Sequence, residues 1–208
     1  MSEPGDDGRD PTVEEPPIPE WDDEYVDRVA DRLMTNYDLE KDERIAGERF
    51  TLTGTMRVHS RKQFFHPALA YAHQEAEEHL FVKRVDRVRR EDVDRLVALG
   101  HDLADRWIVP DDEHFSTDFT FVLLTEEIPE TVRSFVSGFS DRTLLRYGYH
   151  GHYEVNLVVV APEREELVAS DGADVARAFS LWEPVGEAKP GFVLRLLRRL
   201  FLRRSENG

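Results

Sequence analysis

The chain has no cysteine among its 208 residues. That excludes disulfides, thiolate zinc sites and thiol nucleophiles. Lysine is scarce as well: Lys41, Lys62, Lys83 and Lys189 are the four, and none follows a glycine, which removes the Walker A phosphate loop. G-x-G-x-x-G, G-x-S-x-G and H-E-x-x-H are also missing, and with them the Rossmann, α/β-hydrolase and zincin readings. No apolar run approaches the 18–20 residues or so that a membrane-spanning helix needs. The opening Met-Ser-Glu-Pro-Gly-Asp-Asp lacks a basic n-region and an apolar h-region, so it does not read as a signal peptide.

What is present is acid. There are 43 Asp and Glu against 27 Lys and Arg, for a net charge of -16. Residues 191–208 run against this trend. Their five arginines and one glutamate leave -20 on the first 190 residues. A surface so acidic repels phosphate, so nucleic acid is not an expected partner. Excess carboxylate with arginine far above lysine fits a halophilic protein. The Debye length falls to about 3 Å at 1 M salt, which screens the repulsion. A cytoplasmic setting is the expectation.

Hydrophobic residues make up 40% of the chain, with twelve Phe, six Tyr and three Trp, enough for a core. Residues 1–19 are rich in Pro, Asp and Glu and read as a disordered acidic tail. Residues 20–182 read as one α+β domain. Trp21, Tyr25, Val26, Val29, Ala30, Leu33, Met34 and Tyr37 predict a helix over 20–36. Alternation of Phe50, Leu52, Gly54, Met56 and Val58 predicts a strand. Residues 68–79 fit helix or strand, and Leu80-Phe81-Val82 fits strand. Val93, Leu96, Val97, Gly100, Leu103, Ala104 and Trp107 form one helical stripe over 91–107, closed by Pro110.

A strand is expected at 115–125 and a short helix after Pro129. Strands at 143–149 and 153–161 and a helix at 171–182 complete the domain. The expected fold is a mixed or mostly antiparallel sheet of about four to five strands packed with helices. Residues 183–191 form a Pro/Gly hinge.

Residues 192–204 then predict a basic amphipathic helix. At about 100° per residue, Leu196, Leu200, Val193, Leu197, Phe201 and Leu194 share one arc, with Arg195, Arg198, Arg199 and Arg203 opposite. Such a helix suits a membrane surface, a protein partner or a second copy of the chain. The expected function is a non-enzymatic binding or adaptor protein, peripheral to the inner face of the membrane through this helix. Leu196, Leu197, Leu200, Phe201, Arg195, Arg198, Arg199 and Arg203 would make the contact.

The alternative is a metal-dependent hydrolase with a divalent cofactor. On a strand, His73, Glu75, Glu77 and His79 would share one face, and His150 and His152 could add ligands. The expected ligand set is His73, Glu77, His79, His150 and His152. His114, Ser116 and Asp118 contain the residue types of a nucleophilic triad, but adjacency does not supply its geometry, and turn capping at a strand start is the expected role of Ser116, Thr117 and Asp118.

The segments Phe50-Thr-Leu, Glu78-His-Leu-Phe-Val-Lys-Arg84, His114-Phe-Ser-Thr117 and His150-Gly-His152 resemble an uncharacterised family of haloarchaeal proteins. The resemblance covers residues 49–161 and implies no activity, cofactor or site residue.

Overall fold

The computed structural model describes residues 19–62, 72–111 and 114–183. The basic segment 192–204 lies outside the described residues, as do the acidic tail 1–18 and nearly all of the hinge. The described chain runs α1 (Glu24–Leu33), β1 (Asp38–Lys41), β2 (Arg44–Ile45), β3 (Glu48–Arg49), β4 (Leu52–Lys62), β5 (Ala72–Arg84), α2 (Arg90–Trp107), β6 (His114–Leu124), α3 (Glu130–Ser137), β7 (Asp141–Leu144), β8 (His152–Ala161), β9 (Glu166–Ala169) and α4 (Ala176–Phe179).

The fold is α+β, around a mixed sheet of seven strands in the order β1-β4-β5-β6-β8-β7, with β9 also on β8. β2 and β3 form a separate hairpin. The expected count of four to five was too low. β1 and β9 are four-residue edge strands whose charged residues (Asp38, Glu40, Lys41, Glu166) hide any apolar alternation. The predicted strand at 143–149 ends at Leu144, because Arg146 and Tyr147 take left-handed backbone angles.

Connection lengths explain the pairing. α2 crosses over between β5 and β6, and α3 lies between β6 and β8; both pairs are parallel. The other pairs are antiparallel. The parallel strands are therefore central and covered on both faces. β8 is buried at all ten positions, and β6 at its last nine.

Side-chain alternation gives each face its own core. Leu80, Val82, Val122, Leu124, Val158 and Val160 pack on one face under Val26, Val29 and Leu33 of α1 and Phe179 of α4. Phe81, Phe119, Phe121, Val155, Leu157 and Val159 pack on the other under α2 and α3. Asp23 caps α1, accepting from the backbone N–H of Tyr25 and Val26 at 3.0 and 3.2 Å. On α2, a Cβ added at Gly100 would stand 2.8 Å from Val155 Cγ2, so glycine lets the helix rest directly on β8.

Candidate functional site

On the α2 face, the edge of the sheet forms a pocket. β1, the β2 hairpin, β4, β5 and the end of α2 enclose about 270 Å³. His79 and Phe81 of β5 and Trp107 of α2 give it aromatic walls. The His79 ring stacks on Phe119, with centroids 5.4 Å apart, and meets Trp107 edge-on at 5.0 Å. His79 is buried, while Trp107 is 41% exposed at the mouth. Arg57 of β4 pairs with Glu77 directly across the strands, its Nε 2.8 Å from Glu77 Oε1. Glu77 Oε2 lies 3.5 Å from His79 Nε2. The hydrogen bond from His79 and the charge of Arg57 hold the Glu77 carboxyl below the usual carboxylate range, against the opposing effect of burial.

The α1 face carries a second polar set. Glu78, Asp118 and Glu154 stand in register on β5, β6 and β8, with Arg142 of β7 next in line. The three acids are buried. Burial pushes the Glu78 carboxyl up to about 7, and the nearby Asp174 adds to the shift. Thr120 opposes it by donating to Glu78 Oε1 at 3.1 Å. The buried Tyr37 hydroxyl faces the same carboxyl, short of full hydrogen-bond geometry. A carboxyl that titrates near neutrality limits the charge three aligned acids must share. A Cβ on Gly172 would stand 2.3 Å from Asn156 Oδ1 and 3.1 Å from Glu154 Oε2, so glycine lets its loop close over this row.

The expected metal ligands separate. Glu77 and His79 do share a face. His152 lies on the opposite face, three strands from β4, with Nε2 3.4 Å from Glu154 Oε1 and Nδ1 3.2 Å from Arg142 Nη2. His150 sits in the turn before β8, its carbonyl 2.7 Å from His114 Nδ1. The side chain of His73 lies outside the described set. Among the described residues, no group of three His, Asp or Glu is placed to hold a metal ion. Ser116, Thr117 and Asp118, expected to cap a turn, are buried inside β6. β6 begins at His114, so these residues already have neighbours on both sides.

Sequence reading missed the buried acids. Their signal was a polar residue at every second position of otherwise apolar strands: Asp118 and Thr120 on β6, Glu154 and Asn156 on β8. It also missed Arg57, which pairing alone brings to Glu77.

No curated protein and no solved structure matches this chain. A family model described as "Domain of unknown function (DUF8052)" matches residues 22–181, from just before α1 to just past α4. The chain, with its polar–aromatic pocket and its row of buried acids, belongs to that family of unknown function.

Proposed function

We propose that this chain is a non-enzymatic binding protein and that the α2-face pocket is its ligand site. The observation that carries the reading is how fully the polar groups inside the pocket are committed to one another. Glu77 is shared between Arg57 and His79, and His79 is fixed by stacking on Phe119 and an edge contact with Trp107. Such an arrangement holds a shape ready for a ligand. The metal-hydrolase alternative gathers no support from the placement of the described histidines and acids.

The test is a thermal-shift screen of chemically diverse small molecules against the full chain and Trp107→Ala. A ligand class that raises the melting point of the wild type and not of the variant is expected. A screen in which every compound treats the two proteins alike overturns the reading.

The setting is part of the same proposal. The acidic excess supports a salt-rich cytoplasm. The pattern of residues 192–204 supports attachment to the inner face of a membrane, or to a protein partner or second copy. Among the described residues, no helix is long and apolar enough to cross a membrane.

A further inference from the structure

The mouth and the walls of the pocket differ in chemistry. Phe81, His79 and Trp107 form an aromatic corner, with the Trp107 ring centroid 6.2 Å from Phe81 and 5.0 Å from His79. Around the mouth stand the carboxylates of Asp38, Glu40 and Glu43. Glu43 and Glu40 lie against each other. Partial burial and then the charge of Glu40 push the Glu43 carboxyl above its usual range. Arg57 and His79 are the basic groups among the lining residues, and Glu77 holds both. The negative potential at the mouth is therefore not answered from within the lining.

We propose that the pocket binds a compact organic cation, through the exposed ring of Trp107, backed by the buried rings of His79 and Phe81, and the carboxylates of Glu40 and Glu43. The inference rests on the binding-protein reading above and names its ligand class. Aromatic faces attract a cation by their quadrupole, most strongly when the cation sheds water easily, as alkylated ammonium and guanidinium groups do. Carboxylates at the mouth draw the charge in and repel anions. The cavity of about 270 Å³ has room for a small organic ion. A hard inorganic cation would need several converging ligands, and among the described residues no group of three His, Asp or Glu is placed to hold one.

Isothermal titration of the full chain tests this, with choline and tetramethylammonium as cations. The neutral isostere 3,3-dimethyl-1-butanol and acetate serve as controls, at a salt concentration that keeps the chain folded. Choline should bind about tenfold tighter than its neutral isostere, and acetate should not bind. Trp107→Ala, and separately the double variant Glu40→Gln with Glu43→Gln, should each weaken choline binding about tenfold. The carboxylate variant should keep a melting point near wild type, whereas Trp107→Ala also loses its packing on His79, Phe81 and Phe119, so its binding is compared at a temperature where it stays folded.

If the neutral isostere binds as tightly as choline and Trp107→Ala weakens both, the cation assignment falls and the pocket reading stands. Choline that fails to bind while other compounds still distinguish Trp107→Ala has the same meaning. If no compound distinguishes Trp107→Ala, both readings fall.

Discussion

The Tyr153 hydroxyl lies 2.9 Å from Nδ1 of His101, and the other nitrogen of that ring lies 3.1 Å from Asp141 Oδ2. One imidazole thereby ties α2 to β8 and β7. An ionised carboxylate only accepts, so in the neutral ring Nε2 carries the proton and Nδ1 accepts from the phenol. The two partners differ in exposure, since Tyr153 is buried and His101 half-exposed. His101→Phe strands a buried hydroxyl and should cost about 1–3 kcal/mol. Tyr153→Phe leaves an imidazole that water can reach and should cost less, about 1 kcal/mol. Chemical denaturation of the two variants checks the order. Equal losses would mean the hydroxyl is not held by the ring.

Glu78 makes stability depend on pH. Its folded pKa of about 7 lies above its ordinary value of 4.5, so the folded state binds the proton more tightly than the unfolded state. The contribution is complete below about pH 4.5 and is lost as pH rises through 7. Its full size is on the order of 3 kcal/mol. Glu78→Gln keeps the shape of the neutral acid. It should flatten the decline between pH 5 and 8 and make the variant more stable than wild type at pH 8. Parallel curves for variant and wild type across that range would show that Glu78 stays ionised in the fold.

The sequence disclosed α2 and the central strands β6 and β8 better than the sheet edges or α4, where the expected helix over 171–182 shrinks to Ala176–Phe179, and for α2 the reason is physical. α2 displays its buried face as a 3.6-residue stripe, and the stripe from Val93 to Ala104 is the one that packs. Strands β5 and β6 are buried on both faces, so alternation does not separate inside from outside. Glu77 and His79 could be placed on one face from their spacing. Arg57 could not be joined to them without the register of β4 on β5, nor Trp107 without the crossover that returns α2 over the sheet edge. His152 failed to join them for the converse reason. An even-numbered residue of β8 faces α1, while odd-numbered residues of β5 face α2.

Gly100 tests the closeness of α2 to the sheet. Alanine is the better helix former by about 1 kcal/mol in an open helix. Here its methyl would stand 2.8 Å from Val155 Cγ2 and 3.1 Å from Phe121 Cε2. The steric cost should outweigh the propensity gain, for a net loss of about 1–2 kcal/mol. A raised melting point in Gly100→Ala would mean that the helix can lift off β8 freely.

The charge balance predicts dependence on salt. Surface pairs such as Arg106–Asp102 and Arg164–Glu127 answer only part of the acidic excess. The rest repels at low ionic strength and is screened in molar salt. The melting point should rise from 0.1 M to 2 M KCl. Equal or higher stability in the dilute buffer would remove the halophilic reading.

The basic segment supplies the last prediction, because it separates attachment to lipid from packing within or between chains. In the helix that the sequence predicts over 192–204, six apolar side chains would share the arc centred on Leu197 and Leu200. Full burial of each contributes roughly 1.5–3 kcal/mol, and salt strengthens that term while it screens the arginines. A 13-residue helix is only about 20 Å long, so lipid association should be partial. Deleting residues 191–208 should abolish co-sedimentation with anionic vesicles and leave the melting point of the remaining chain within a degree or two. Leu197→Glu with Leu200→Glu should do the same by placing charge in the middle of the arc. A deletion that lowers the melting point or halves the mass in solution would assign the segment to the domain or to a second copy instead. A truncated chain that still pellets like the full one would end the membrane reading.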